Sequence, residues 1–356
     1  MKPLLPLTDP SQPDLNSYSE TDRLIARICR DPRDIPFVFL TLKITVFMIP
    51  LAILMYLPSI TGIAWWLTAL AYFVVNNFVF KGPFGLMLHC TSHRVLFSKK
   101  YGMLNHYLPW FIGPFFGQTP KTYYSHHIGM HHPENNLPDD ISTTMPFRRD
   151  SLRGFLAYFT DFFFLVVIRL AAYFKRHDRK KLMLLTISGE LFFILLVTGL
   201  MFVNWQATVM VFIVPFVLSR VVMMLGNWAQ HAFVSGDDPG NAYKNSITCI
   251  NTKYNHKCWN DGYHISHHVK PSMHWTEHPQ HFSENIQEYI NHKAIVFDGI
   301  HFLHVWVYLM RGRYDLLAKN FVNLGNHFQD DTEVITFLKS RTQKIIHSPL
   351  DLSTLK

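Results

Sequence analysis

Long apolar runs are the feature of this sequence that most constrains how the chain can fold. The hydrocarbon core of a membrane is about 30 Å thick, and a helix needs about 20 apolar residues to cross it. Runs of about this length stand at 37–57, 62–80, 154–174, 182–203 and 206–226. Charged residues make up 16% of the chain, whereas soluble domains carry about 25%. The sequence therefore predicts an all-α integral membrane protein.

The connections between the runs predict which of them cross the membrane. The segments 58–61 and 204–205 carry no charge, whereas Lys and Arg collect at the opposite ends of the runs that these segments join. Basic flanks mark the cytoplasmic side of a membrane. We therefore predict two hairpins that enter from the cytoplasm and return to it, with transmembrane helices at 37–57, 62–80, 182–203 and 206–226.

The run 154–174 is predicted to be an interfacial helix. It carries Asp161 and Arg169, which are costly in lipid, and a crossing here would place the later histidines in the opposite compartment. The alternative is six spans, with a weaker run at 294–310 as the sixth and the histidines separated by the membrane. The predicted organisation is a cytoplasmic N-terminal segment 1–36 with a loose Pro-rich start, a membrane domain 37–310 and a cytoplasmic C-terminal tail 311–356.

The charge balance indicates a membrane partner. The chain has 33 Lys and Arg against 25 Asp and Glu, a net charge of +8. A basic excess suits nucleic acid or an anionic membrane surface. The apolar runs favour the lipid bilayer, so we predict no nucleic-acid partner. The four cysteines form no CxxC pair, which excludes a zinc ribbon and a thioredoxin motif.

Histidine is unusually frequent and is concentrated in short elements on the predicted cytoplasmic side. The chain has 21 histidines, none in the first 88 residues. The elements are box one, HCTSH at 89–93; box two, HHIGMHH at 126–132; box three, HISHH at 264–268; and Asn227-x3-His231 after the last span. A spacing of three or four places side chains on one face of a helix. A single such pair is more often two ordinary histidines than a metal site, but four elements together favour metal binding.

The composition of these elements indicates the kind of metal chemistry. Nine imidazoles exceed the coordination of one ion, and two ions sharing eight to ten ligands is the simplest count. Imidazole suits Zn, Cu, Fe or Ni. The sequence has no HExxH metalloprotease motif and no Glu-x-x-His of the soluble di-iron bundles. A redox pair fits an all-nitrogen shell better than a hydrolytic zinc site, which would need a nearby carboxylate base.

The three boxes and the two hydrophobic hairpins resemble the membrane fatty acid desaturase family over about residues 37–310. The resemblance implies four transmembrane helices with a cytoplasmic helical cap, which holds a histidine-rich site for two Fe ions. The implied metal-site residues are His89, His93, His127, His131, His132, His231, His264, His267, His268 and, through water, Asn227. Box two has three residues between His127 and His131, where many members have two. His126 therefore competes with His127 as a ligand.

The resemblance also implies an activity. The chain would introduce a double bond into a fatty acyl substrate, using O2 and two electrons from a separate ferredoxin or cytochrome b5. A lipid hydroxylase with the same centre is the alternative. A non-enzymatic metal-binding or transport protein fits less well, because transport needs ionisable residues along a path through the membrane, whereas the histidines lie outside the predicted spans.

Charged side chains near the boxes and inside the second hairpin give further expectations. Asp139, Asp140, Asp261 and Glu277 could accept N–H bonds from ligand imidazoles, although solvation at the surface explains each equally well. Glu190 and Arg220 lie at nearly the same depth on the two helices of the second hairpin, counted from its tip. We predict an ion pair between them, because unpaired charge is costly in lipid.

Overall fold

A computed structural model describes residues 1–346 of the chain. By length and composition, five of its helices could cross a membrane. These are α1 (Pro32–Leu54), α2 (Gly62–His93), α3 (Leu152–Arg176), α4 (Lys180–Val203) and α5 (Trp205–Gln230). The predicted run 154–174 thus forms a helix of spanning length, as the other four runs do.

Shorter helices complete the structure and fill most of the regions between the long ones. Their bounds are Leu15–Ser17, Glu20–Ala26, Lys99–His106, Tyr107–Ile112, Gly113–Phe115, Thr122–His126, His127–His131, His132–Glu134, Ala242–Asn245, Lys253–Lys257, His264–Val269, Trp275–Glu277, His278–Glu284, Ile286–Asn291, Phe302–Met310, Tyr314–Asn320, Leu324–Asn326 and Asp331–Ser340.

The two hairpins α1–α2 and α4–α5 touch at their tips. The Tyr56 hydroxyl lies 2.9 Å from Oγ1 of Thr208, and Nδ2 of Asn204 donates to the Met55 carbonyl at 3.4 Å. Further along, the buried Tyr72 hydroxyl donates to the Val211 carbonyl at 3.0 Å. The hairpins therefore pack side by side, with their tips at one end of the molecule.

The predicted ion pair inside the second hairpin is confirmed. Nη2 of Arg220 lies 3.5 Å from Oε1 of Glu190, and both side chains are nearly fully buried. The same carboxylate oxygen accepts a hydrogen bond from the Thr119 hydroxyl at 2.5 Å. The guanidinium also lies 4.7 Å from the centre of the Phe216 ring. Both charges are thus kept away from lipid, as the cost of exposing them requires.

The prediction of an all-α fold needs one correction, because the mostly helical chain also contains a small sheet. Strands β1 (Ile247–Ile250) and β2 (Ile295–Asp298) pair in parallel, with Ile247 opposite Ile295. Every residue of both strands is buried, so the sequence shows no alternation that would reveal a strand. The weak apolar run 294–310 is therefore a strand and the helix Phe302–Met310, separated at Gly299, whose φ is +81°.

The N-terminal segment is held in place, although its Pro-rich start was predicted to be loose. Asp9 is buried and accepts hydrogen bonds from the Tyr263 hydroxyl at 2.7 Å and from the backbone N–H of Asn251 at 2.7 Å. Nζ of Lys2 forms an ion pair with Asp298 at 2.8 Å. These contacts fix the first residues against β1 and β2, which local sequence composition does not reveal.

Helix α3 lies along the part of the chain that carries the histidine boxes. Near its start, the Phe155 ring packs 5.6 Å from the Trp228 ring. Near its middle, the Phe162 ring packs edge-on 5.4 Å from the His126 ring. Near its end, the Tyr173 hydroxyl donates to Glu134. The helix thus contacts this region along its whole length.

Candidate metal centre

Box one lies at the end of the first hairpin. Helix α2 continues without a break from its apolar part to His93, so His89 and His93 are one helical turn apart on the same face. Their ring centres are 5.3 Å apart. Both imidazoles therefore lie at the end of the first hairpin that is opposite to its tip.

Box two contains a wider helical turn. The segment His127–His131 is a π-helix between the α-helices Thr122–His126 and His132–Glu134. A π turn accommodates one residue more than an α turn, and such turns often occur at functional sites. The extra residue between His127 and His131 falls within this turn, which brings His127 and His132 together and turns the His126 ring towards Phe162.

Box three and His231 come from the segment after the second hairpin. The helix His264–Val269 carries three histidines at spacings of three and four, so all three face one side. His231 follows the last residue of α5 and is fully buried. Nε2 of His231 lies 3.2 Å from Nε2 of His264.

The nine predicted histidines form two adjoining groups. Ligand nitrogens within each group lie within 4.8 Å of one another. The five-histidine group consists of His89, His93, His127, His132 and His267, and the four-histidine group consists of His131, His231, His264 and His268. The groups meet where the His132 and His268 rings lie 5.2 Å apart.

Neighbouring nitrogens within the groups are very close. In the five-histidine group, Nε2 of His267 is 3.0 Å from Nε2 of both His89 and His132. Nε2 of His127 is 3.1 Å from that of His93. In the four-histidine group, the His264 and His268 nitrogens are 3.0 Å apart. Each group thus has the small central volume that one ion needs.

Burial lowers the pKa of seven of these imidazoles and keeps those seven neutral. Burial, with the neighbouring histidines adding to it, lowers the pKa of His132, His264 and His268 well below the usual value for histidine. Burial also lowers the pKa of His231 to about 3. A neutral imidazole with its proton on one nitrogen offers a lone pair on the other. The groups can therefore bind cations at neutral pH without first releasing protons.

Hydrogen-bond acceptors behind the groups fix the orientation of several rings. Nδ1 of His131 lies 2.6 Å from Oδ2 of the buried Asp140, and Nδ1 of His231 lies 2.9 Å from the Asn245 carbonyl. Oδ1 of Asp261 lies 3.6 Å from Nδ1 of His89, which is a charge contact but too long for a hydrogen bond. Burial alone would raise the pKa of the Asp140 carboxyl, but the adjacent His131 reverses this effect and lowers it. Such partners orient metal-binding imidazoles and make them more basic.

Some residues that the sequence suggested lie outside the two groups. Asn227, predicted to act through water, lines the same cavity as His131 and His264, and its Nδ2 donates to the Ser142 carbonyl at 3.0 Å and to the Tyr158 hydroxyl at 2.7 Å. Asp139 forms an exposed ion pair with Arg176. Glu277 pairs with Arg33 at 2.6 Å, so neither of these carboxylates supports a ring.

Two supporting groups could not be identified from the sequence. The Asn245 carbonyl belongs to the backbone, so the type of residue gives no indication that it contacts the His231 ring. Ser266 lies within box three, and its hydroxyl is 2.8 Å from Nδ1 of His278 and 3.1 Å from Nδ1 of His281. These two later histidines thus brace box three from behind.

An apolar cavity of about 160 Å³ adjoins both groups. Five histidines lie in its wall: His89 and His127 from the five-histidine group, His131 and His264 from the four-histidine group, and His126. Apolar side chains also line the cavity: Phe84, Val222, Met223 and Met224 come from the two hairpins, and Phe116 comes from the segment before box two. The arrangement can hold an apolar chain beside the histidine nitrogens.

Comparison with known proteins identifies the family. The chain matches the fatty acid desaturase family over residues 63–299, which include all four histidine elements. Comparison with curated proteins and with solved structures gave no match. The match covers more than half of the 356 residues, so this chain belongs to the fatty acid desaturase family of integral membrane oxidoreductases.

Proposed function

We propose that this protein is a membrane fatty acyl desaturase whose nine histidines hold two iron ions. The observation that carries the proposal is the convergence of the nine imidazoles in two adjoining groups beside an apolar cavity. The activity would remove two hydrogens from neighbouring carbons of an acyl chain. With O2, two external electrons and two protons, the reaction gives one double bond and two waters.

The residues of the two groups fit metal ions. At a metal–nitrogen distance of about 2.1 Å, two donors at right angles stand about 3.0 Å apart. Neighbouring nitrogens of the groups lie between 3.0 and 3.2 Å apart. Neutral imidazoles whose lone pairs face each other at this distance repel unless a cation lies between them. The five-histidine group would hold one ion and the four-histidine group the other.

An all-imidazole donor set suits Zn, Cu, Fe or Ni, and the proposed C–H oxidation favours iron among them. The chain itself supplies binding and positioning. Bound iron would supply the oxidising power, with O2, to break an unactivated C–H bond. The apolar wall of Phe84, Phe116 and Met223 would hold the acyl chain against the histidines by dispersion and exclusion of water. Asp140 and Asp261 would keep the His131 and His89 rings turned towards the ions.

Contacts of the long helices support four membrane spans with the site on the cytoplasmic side. The hairpin tips meet at Tyr56 and Thr208, and box one and His231 lie at the other ends of the hairpin helices. Because α3 contacts the box region from Phe155 to Tyr173, it would lie along the membrane surface. The basic residues flanking the hairpins support a cytoplasmic location for this end. Electrons would come from a separate ferredoxin or cytochrome b5.

Expression in a host that lacks the activity tests the proposal. Analysis of the host lipids by mass spectrometry should show acyl chains with a new double bond, and the His264→Ala variant should lose this product. His264→Ala should still be found in the membrane, because the span helices and not the box carry the insertion energy.

His106→Ala is the matched control, since His106 is exposed and lies outside both groups. It should keep full activity. Acyl chains that carry a new hydroxyl group would favour the hydroxylase alternative. Full product formation by His264→Ala with unchanged metal content would show that His264 is not a ligand.

A further inference from the structure

A second cavity, small and polar, lies beside the five-histidine group. Its volume is about 30 Å³. His89, His93 and His267 of this group line it, whereas the apolar cavity meets the same group at His89 and His127. Three residues border both cavities: Leu86, His89 and Asp261. The five-histidine group thus contacts two spaces of different character.

The size and the lining of the second cavity suit water. Asp34, Arg94 and Asn260 line it, beside the indole of Trp275. A buried water needs polar partners and little space, and this cavity has room for about two water molecules. An acyl chain does not fit in such a volume. We call this space the polar cavity.

Three buried polar atoms in the residues of this wall have no hydrogen-bond partner within the described chain. They are Nε of Arg94, Nε1 of Trp275 and Oδ1 of Asn260. The other end of the Asn260 amide is bonded, because its Nδ2 donates to the Trp275 carbonyl at 2.9 Å. A buried polar atom without a partner is costly, and buried waters typically bond to about three such atoms. One water can accept from the two N–H groups and donate to the carbonyl oxygen.

Asp34 adds a carboxylate to the same wall. It is buried, and its Oδ1 lies 3.0 Å from Nε2 of His274. Nδ1 of His274 accepts the backbone N–H of Thr276 at 3.3 Å, so the proton of the neutral ring is on Nε2 and is donated to Asp34. Among residues 1–346, no group donates a hydrogen bond to Oδ2 of Asp34. This oxygen is therefore available to water.

The loop that carries Asn260 is held in a costly backbone conformation. Trp259 and Asn260 have φ angles of +55° and +56°, which bulky L-residues rarely adopt. Contacts with distant segments hold the loop in place, since Nδ2 of Asn260 also donates to the Pro10 carbonyl at 2.7 Å and Nε1 of Trp259 donates to the Pro83 carbonyl at 2.8 Å. Backbone held in this way is concentrated at functional sites.

The polar cavity extends from the protein surface to the histidines. Arg94, Pro271 and Met273 in its wall are half-buried, whereas His89 and His267 are buried. The proposed reaction consumes two protons for each double bond, and protons move along water and hydrogen-bonding side chains. The apolar cavity offers few such groups, so it is a poor route for protons. The polar cavity has the groups that a proton route needs.

We propose that the polar cavity holds ordered water through which solvent protons reach the five-histidine group, on a different side of this group from the acyl chain. The inference rests on the proposed oxygen-dependent reaction. Two protons arriving by this route, two electrons from the external donor and two hydrogens from the acyl chain would convert O2 into two waters. Asp34, Asn260 and Trp275 are positioning residues, which hold the water by hydrogen bonds.

A high-resolution electron cryo-microscopy map of the full chain in lipid nanodiscs tests the water site without requiring turnover. Density for water should lie within about 3.2 Å of Nε1 of Trp275 or Nε of Arg94 and of Oδ1 of Asn260. Trp275→Phe removes one donor and keeps an aromatic ring, so this density should be weakened or lost in its map. A map that shows ordered water elsewhere in the protein but none in this cavity would overturn the proposal.

Asp34→Asn tests the proton route. The amide oxygen can still accept from His274, but the carboxylate that holds the water is lost. We expect kcat to fall about tenfold or more, and the solvent deuterium isotope effect on kcat to rise because proton delivery becomes limiting. The KM for the acyl substrate and the metal content should stay unchanged. Trp275→Phe should raise the isotope effect as well, so the test does not depend on the folding of one variant.

Asp298→Asn is the matched control. Asp298 is also buried and pairs with Lys2 at 2.8 Å, but it lines neither cavity. Its solvent isotope effect should equal that of the wild type. An unchanged isotope effect in both Asp34→Asn and Trp275→Phe, or activity lost only together with metal, would overturn the proton route. A wild type that forms no double bond would instead contradict the proposed function, whereas the water map is independent of turnover.

Discussion

At the scale of single residues, the candidate metal centre depends on side chains that contact the histidines from behind. Asp140 is the best example, because its two oxygens accept four hydrogen bonds. Oδ2 receives the N–H groups of His131 and Asn136, and Oδ1 receives the backbone and hydroxyl of Ser142. The carboxylate is fully buried in this network. Its negative charge should strengthen the His131 imidazole as a donor.

Replacement of Asp140 by Asn should weaken metal binding in the four-histidine group. The amide lacks the negative charge that makes His131 a stronger donor, so we expect about a 10- to 100-fold loss of affinity for one of the two ions. Competition with a metal chelator measures this loss. Asp139→Asn is the control, since Asp139 is exposed and pairs with Arg176. Equal affinities in the two variants would contradict the role assigned to Asp140.

Arg149 is a second residue on which the region around the site depends. It is fully buried, and its guanidinium donates only to backbone carbonyls in the described chain. These carbonyls belong to Ala232, which follows His231, to the 144–147 loop and to residues near the end of the described chain. Burial lowers its pKa to about 10. One side chain thus joins three distant segments.

Arg149→Met should destabilise the protein by about 3 kcal/mol, because several buried carbonyls would lose their partners. The thermal unfolding midpoint of the detergent-solubilised protein measures the effect. The neighbouring Arg148 is largely exposed and pairs with Asp150 at 2.7 Å. Arg148→Met should change stability by less than about 1 kcal/mol. A similar midpoint for both variants would show that the Arg149 contacts are not important for stability.

At the scale of elements, helix α4 and the loop before box two are packed without space between them. A Cβ atom at Gly189 would lie 1.8 Å from the Pro120 carbonyl oxygen. The adjacent Glu190 accepts a hydrogen bond from Thr119 in the same loop. Because Thr122 begins the box-two helix, the fit of this loop on α4 positions box two.

Gly189→Ala should therefore displace the loop and destabilise the protein by about 1–3 kcal/mol, the usual cost of overpacking. Gly199→Ala is the control on the same helix, since nothing lies within 4 Å of its added Cβ. The control should be neutral or slightly stabilising, because Ala favours helix more than Gly does. Thermal unfolding and activity of the two variants give the comparison, and equal results would mean that the loop adapts freely.

The sequence predicted those elements whose signal is local. The five apolar runs became helices, and depth counted from a hairpin tip located the Glu190–Arg220 pair. Strands β1 and β2 could not be predicted, since each is short and gains its partner only from a segment far along the chain. The contacts that hold the N-terminal segment could not be predicted for the same reason, because Asp9 meets its partners Tyr263 and Asn251 only in the folded protein.

At the scale of the whole molecule, the fold brings four separate histidine elements to one place. The hairpins carry box one and His231, and the loops around α3 and after α5 carry boxes two and three. The sequence contained the boxes and the charge pattern that predicts one side of the membrane for all of them. It did not contain the choice between His126 and His127, which depends on the π turn and on the packing of His126 against Phe162.

The division into groups of five and four could not be predicted from spacing either. In box two, His127 and His132 belong to the five-histidine group and His131 belongs to the four-histidine group. In box three, His267 belongs to the five-histidine group, and His264 and His268 belong to the four-histidine group. Spacing within a box does not determine which imidazoles of different boxes meet, because the elements are brought together by tertiary contacts. This division is the basis for expecting two ions and not one.

The measurement that tests the central claim most directly is the metal content of the purified full chain together with X-ray absorption at the metal edge. The account predicts two iron ions per chain, each surrounded by nitrogen or oxygen donors at about 2.0–2.3 Å. It also predicts that His268→Ala, altered in the four-histidine group, binds one ion firmly and the second weakly. A single ion per chain in the active enzyme, or a shell of sulfur donors, would contradict the account.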